Sequence, residues 1–328
     1  MSGDLDRIMA AQHGFFYRSQ ALDCGYSHRE FECARREKVW VKVRRGAYTT
    51  ADHRASLDDA GLHVLTVRAV AGRLEGRVVV TGVSAMAVQG VPLWGVDLKV
   101  VHVAREPGFS SRTDANVVHH VAPIPDSQLV EVNGLLVPVI ERNVVDAARL
   151  VSFEGGVVLA DGARRLLPFD PDLAQSIVES QRDWSGSLNA ARVLRFSDGA
   201  AETVGESRSR VMIARIGLPA PQLQKCFYRS DGSVLARTDF FFEEFNTVGE
   251  FDGKQKYGRE LYEKTGRIED VDLGEVVWQE KRREDAIRDE GHEVVRWVWF
   301  EVNGHDKEMR QRFDRAMDRA GRRTYLLT

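Results

Sequence analysis

A chain of 328 residues is long enough for two or three domains, and its apolar fraction of 43% and charged fraction of 29% are those of an ordinary globular protein. A net charge of −3 excludes a uniformly basic nucleic-acid-binding protein, and three scattered cysteines (Cys24, Cys33, Cys226) exclude a disulfide framework or a zinc finger. The most apolar stretch, 78–96, is broken by Gly82, Gly90 and Pro92, which excludes a transmembrane helix, and the opening residues carry no leader-like pattern, so a cytoplasmic protein without a membrane partner is expected.

Residues 1–50 predict three short helices and a hairpin. Asp4 is placed to cap a helix that runs to about His13, and a second helix spans Ser19 to Asp23 and closes at Gly25. Ser27 with Glu30 three residues on is a capping box for a third helix, which ends near Lys38. The segment VWVKVRRGAY then alternates apolar and basic residues from Val39 to Arg44, turns at Arg45-Gly46 and returns at Tyr48, as a small β wing does. Helix, helix, helix and wing predict a winged helix-turn-helix, whose second motif helix enters the major groove while the wing touches phosphate. Between Ser27 and Tyr48 seven basic residues (Arg29, Arg35, Arg36, Lys38, Lys42, Arg44, Arg45) face three acidic ones (Glu30, Glu32, Glu37). Arg29, Arg35 and Arg36, with Lys38 at the helix end, are the candidates for the groove and its rim; Lys42, Arg44 and Arg45 are the candidates for the DNA backbone.

Residues 51–165 predict a mixed α/β region: a helix over 58–74, a strand over 77–81, a helix over 84–89, strands over 97–103, 117–120 and 135–138, and helices over 144–151 and 156–165. None of its polar residues has nucleophile or ligand spacing, so a structural or protein-contact role is expected there. Residues 166–199, with Pro168 and Pro171, predict a helical connector.

Residues 200–328 predict one further unit in the order helix, three strands, helix, strand, with helices on both faces of a mixed sheet. Its run TDFFFEEFNTVGEFDG reads as two antiparallel strands around a polar turn. If the turn centres on Glu244-Phe245, Asp239 faces Glu250, and Asp252 points the same way as Glu250. Carboxylates that close need a cation between them, raised pKa values, or another register. Mg²⁺ held by Asp239, Glu250 and Asp252 at one sheet edge is the economical reading. Trp297 and Trp299 flank Arg296 and suit core packing better than base stacking, and the basic tail from Lys307 to Arg323 reads as a solvated helix face.

Residues 202 to about 302 resemble the PD-(D/E)XK nuclease superfamily, most closely its very-short-patch-repair-like branch. The matching residues are Glu206 on the first helix, Asp239 and Glu250 on successive strands, and the closing EKRREDAIRDEGHEVVRW. The resemblance implies an α/β/α restriction-endonuclease-like fold and a Mg-dependent DNA endonuclease, with Asp239 and Glu250 as metal ligands, Asp252 as a third ligand or as the acid in the lysine position, Glu206 orienting the site or binding a second metal, and Arg282, Arg283 and Arg296 on phosphate. The chain departs from the family at Asp252, which stands where a lysine is usual; Lys254, Lys256 or Lys281 is the implied substitute. Residues 4–165 resemble the AbiEi-type antitoxins through QALDCGYSHREFECARREKVWVKVRRGAYTT, VVVTGVSAMAVQGVPL and VIERNVVDAARL. That resemblance implies a type IV antitoxin-like transcriptional autoregulator with DNA and a nucleotidyltransferase toxin as partners. The alternative to an enzyme is therefore a non-catalytic regulator whose nuclease fold is a scaffold.

Overall fold

The computed structural model describes residues 3–105, 110–121, 123–253 and 273–327, and Lys254 and Lys256 lie outside them. The chain forms two units, 1–197 and 198–328.

The first unit opens with α1 (Gly3–Ala11), β1 (Phe16–Tyr17), α2 (Arg18–Asp23), α3 (His28–Arg36), β2 (Trp40–Arg44), β3 (Ala47–Thr50), α4 (Ala51–Ala55) and α5 (Asp59–Ala71). Helix α3 begins where the sequence sets its cap: Ser27 Oγ accepts the Glu30 N–H at 3.2 Å and the Glu30 carboxylate accepts the Ser27 N–H at 2.8 Å. Strand β3 lies between β1 and β2, so the hairpin expected as a wing is part of a three-stranded sheet. Leu5, Phe16, Phe31, Trp40 and Tyr48 close a small aromatic core, with Trp40 edge-on to Phe16 and Tyr26 at 5.0 Å each. The other side of the wing packs on α5 through Ala47, Leu65 and Ala69, and Tyr17 donates its hydroxyl to Ala69 O at 3.1 Å.

The unit continues with β4 (Val79–Val80), α6 (Gly82–Val88), β5 (Val101–Arg105), β6 (Arg112–Asp114), β7 (Val117–Val121), β8 (Leu129–Val132), β9 (Leu135–Pro138), α7 (Ile140–Ala148), α8 (Phe153–Leu166), α9 (Pro171–Ser180) and α10 (Ser187–Phe196). Strands β4, β5, β7 and β6 form one sheet in that order, with β5 and β7 parallel, and β8 pairs with β9. The segment predicted as a connector is instead part of this unit. Ala174, Ile177, Ala190 and Val193 are buried, and Asn189 Nδ2 donates to Ala148 O at 2.7 Å. Gly156 permits the contact of α8 with α10: a Cβ there would stand 2.7 Å from Val193 Cγ2.

The second unit contains α11 (Val204–Arg215), β10 (Gln222–Tyr228), β11 (Val234–Phe242), β12 (Thr247–Asp252), α12 (Leu273–Asp289), β13 (Glu293–Val298), α13 (Trp299–Val302) and α14 (Asp306–Leu327). The sheet order is β10-β11-β12-β13, antiparallel except for the parallel pair β12 and β13. Met212 and Ile213 of α11 and Met309 and Phe313 of α14 bury one face against Phe240 and Trp297. Ile287 of α12 buries the other against Phe241 and Val248. The element order matches the sequence expectation. The acid-bearing strands are the two central ones, however, because β10 and β13 flank them, so the acids lie toward one end of the sheet rather than along its edge. Among the described residues no helix is long and apolar enough to cross a membrane.

Candidate functional site

Two places carry the residues singled out by sequence. On the first unit, α3 and the wing present the basic set. Arg35 is committed locally: its guanidinium pairs with Glu32 at 2.6 Å, which Arg18 also approaches at 3.4 Å. Arg29, Arg36, Lys38, Lys42 and Arg45 are exposed, and among the described residues none of them has an acidic partner. Nearby acids are spent on local bonds: Glu30 in the capping box, which holds its carboxyl below the usual range through Ser27, and Glu37 on the Cys33 thiol at 3.0 Å. Arg44 differs from its neighbours. It is half-buried, and burial together with the nearby Arg73 lowers its pKa. With Lys42 and Arg45 it lines a cleft of about 730 Å³ against Asp59, His63 and Asp97. Lys42, Arg44 and Arg45 therefore all border this cleft, Arg44 half-buried and the other two exposed.

On the second unit, the β11–β12 ladder pairs Phe240 with Gly249, Phe241 with Val248 and Phe242 with Thr247. One step further along this register Asp239 stands opposite Glu250, as the spacing predicts. The turn is tight because Glu243–Phe245 make a single 3-10 turn and Asn246 adopts φ +46°, a left-handed conformation that asparagine tolerates. Asp239 Oδ2 accepts the Phe251 N–H at 2.9 Å, so this acid takes up a backbone donor of the neighbouring strand. Parallel pairing with β13 sets Arg296 beside Glu250 and Val298 beside Asp252.

Glu250, with a side chain only 8% exposed, is held by two guanidinium groups, Arg283 Nη2 on Oε1 at 3.0 Å and Arg296 Nη2 on Oε2 at 2.8 Å. Arg296 also lies 3.1 Å from Glu284 Oε2. The positive charge that opposed carboxylates require is therefore supplied in large part by arginine. Sequence reasoning assigned Arg283 and Arg296 to phosphate; their partner here is Glu250, and Arg282 stacks on Trp278 at 4.7 Å. Glu284 was missed, although its place one residue after Arg283 on a helix facing the sheet is a usable signal.

Glu206 is 1% exposed, and its carboxylate accepts the Glu202 N–H and the Thr203 hydroxyl at 2.8 Å each, while Thr203 Oγ1 caps the helix by accepting the Glu206 N–H at 3.2 Å. It also accepts Gln224 Nε2 at 2.8 Å. Gln224, with φ +53°, interrupts the β10–β11 ladder opposite Asp239, so Glu206, Gln224, Asp239 and Glu250 follow one another across the sheet. Next to them Arg237 forks onto Glu202 at 2.8 and 2.9 Å, which raises the arginine pKa. Asp252 is half-buried, without a hydrogen-bond or ion-pair partner among the described residues, and Lys281 is exposed on α12.

The acid oxygens suit a hard cation such as Mg²⁺ in kind. Their arrangement does not suit it as it stands: both Glu250 oxygens face arginine, and among the described residues no three acid, histidine or cysteine side chains are placed to hold a metal ion. Trp297 is core, 1% exposed with its indole N–H on Ser209 Oγ at 2.7 Å, and Trp299 packs edge-on to Phe251 at 4.9 Å. Much of the basic tail is paired as well: Arg310 with Asp314, Arg312 with Glu301 and Arg319 with Glu293.

No protein family model matches the chain. It is similar to two proteins of Mycobacterium tuberculosis, the uncharacterized protein MT2308 of strain CDC 1551 / Oshkosh and the uncharacterized protein Rv2248 of strain ATCC 25618 / H37Rv. Each is 24% identical over 290 residues, which covers 87% of this chain and 98% of the relative. An alignment of that length reaches into both units, and neither name states an activity.

Proposed function

We propose that the chain is a DNA-binding regulator of the type IV antitoxin-like class, with a winged helix-turn-helix that engages duplex DNA and a restriction-endonuclease-like C-terminal unit that serves as scaffold. The observation that carries the reading is the set of five cations, Arg29, Arg36, Lys38, Lys42 and Arg45, which have no acidic partner among the described residues on α3, the turn after it and the wing, while neighbouring charges are paired. Unpaired cations on the two elements that meet groove and backbone supply the phosphate contacts on which affinity depends. Fluorescence anisotropy with a duplex from the region upstream of the chain's own gene tests it. Reversal of Arg35 and Arg36 to glutamate should abolish binding, and unchanged binding would remove the proposal. The nucleotidyltransferase toxin belongs to the same proposal. It predicts co-purification with the product of an adjacent nucleotidyltransferase gene, and failure of a co-expressed pair to associate counts against a direct complex.

A second reading, a Mg-dependent DNA endonuclease, is favoured by Asp239 standing opposite Glu250 with Asp252 on the same strand face and lacking a partner among the described residues. The arginines on Glu250 favour the scaffold. Incubating duplex and single-stranded DNA with the protein in Mg²⁺ or Mn²⁺, beside an Asp239→Ala control, separates the two. Metal-dependent cutting lost in the control establishes the enzyme; no cutting, or equal cutting by both, leaves the scaffold.

A further inference from the structure

In the first unit, a cleft of about 720 Å³ lies between strands β4 and β5, the 123–129 segment and helices α7 and α9. That size falls within the range of small-molecule sites. Its charged lining residues are Arg77, Arg105 and Arg142, and among the described residues no carboxylate lines it. The most buried of these is Arg142, 4% exposed on α7. Its Nε donates to Asp146 Oδ2 at 2.9 Å and its Nη1 to Gln128 Oε1 at 3.0 Å, while among the described residues Nη2 is buried without a hydrogen-bond partner. A buried guanidinium N–H without an acceptor is costly and uncommon, and an anionic oxygen is the acceptor that removes the cost best.

Groups that would otherwise satisfy it are engaged elsewhere. Asp146 also accepts Gln181 Nε2 at 3.0 Å, and Gln181 Oε1 accepts Arg149 Nη1 at 3.3 Å. Trp184 is flanked by the guanidinium groups of Arg149 at 4.8 Å and Arg142 at 5.7 Å, which holds the inner end of the cleft in place. Arg77 stands at the rim, 41% exposed and tied to Asp126 at 2.6 Å. Val79, Ile124 and Leu129 give the walls an apolar character. A guanidinium with an unsatisfied N–H at the inner end, an arginine–aspartate pair at the rim and apolar walls between them describe a receptor for an amphipathic anion.

We propose that this cleft binds a small organic anion, an apolar body ending in a carboxylate or phosphate, with Arg142 and Arg77 as its charged contacts. A guanidinium fork suits either anion, so the two are separated by experiment. Titration calorimetry on the full chain uses benzoate, phenyl phosphate and, as a neutral control, benzyl alcohol. At least one anion should bind at a single site and the alcohol should not; the tighter of benzoate and phenyl phosphate identifies the anionic group. Arg77→Glu should weaken binding at least about tenfold, the scale of losing one charged hydrogen bond. Arg142→Met should abolish it, with circular dichroism confirming the fold; if that variant does not fold, Arg77→Glu on the exposed rim decides alone. Failure of both anions to bind the unaltered chain, equal binding by Arg77→Glu, or equal binding of benzyl alcohol would overturn the proposal.

Discussion

Replacing Glu250 by glutamine keeps the shape of the side chain and removes the negative charge set between Arg283 and Arg296. Two ion-pair contacts, at 3.0 and 2.8 Å, lose their charge assistance, and two guanidinium groups are left beside a neutral amide. Removing one partner of a fully buried pair costs roughly 3 to 5 kcal/mol. Here the arginine side chains are 35% and 29% exposed, so water takes up part of the uncompensated charge, and Arg296 retains Glu284 at 3.1 Å. The expected loss is about 2 kcal/mol. Urea denaturation followed by tryptophan fluorescence reads it, since Trp297 is buried on the adjoining strand. A double-mutant cycle with Arg283→Gln should return a coupling of about 1 kcal/mol. A Glu250→Gln chain within about 0.5 kcal/mol of the unaltered one would refute the reasoning, because the arginines would then hold nothing of value to the fold.

Gly205 lies against the Phe251 ring, and a Cβ there would stand 1.9 Å from Cε1, so Gly205→Ala should cost about 2 kcal/mol as the ring is displaced; an unchanged thermal midpoint would contradict this. Burial, with the His120 ring 3.0 Å away as a lesser cause, pushes His102 down to about 4, and burial lowers His120 and His63 as well. These rings stay neutral in the fold where the unfolded chain takes up protons, so stability is full above about pH 6.5 and is lost as pH falls toward 4. For His102 the loss is about 3 kcal/mol across that window. His102→Asn should flatten the dependence of the unfolding midpoint on pH, and an equally steep profile would count against the assignment.

Local rules carried far in this sequence, and non-local ones did not. The Ser27–Glu30 capping box, the wing turn at Arg45-Gly46, strand Leu135–Pro138 and the opposition of Asp239 to Glu250 were all legible, because caps, turns and hairpin registers are written in a few adjacent residues. Strand β1 has two residues and exists only through its pairing with β3, so no periodicity announces it. Strands β6 and β8 are largely exposed and lack the apolar alternation that marks a strand. Helices α9 and α10 show amphipathic spacing, but that spacing does not say which neighbour they cover. At the candidate site the acids were found and their partners were not. Arg296 reaches Glu250 through parallel pairing across a crossover, a relation that sequence spacing does not encode.

The salt dependence of duplex DNA binding tests the central claim most directly. If Lys42 and Arg45 each contact a phosphate, the slope of log affinity against log salt concentration should become shallower by about 0.9 for each residue changed to alanine, and by about twice that in the double variant. Slopes that stay the same in all three variants would contradict the account, since Lys42 and Arg45 would then lie away from the nucleic acid.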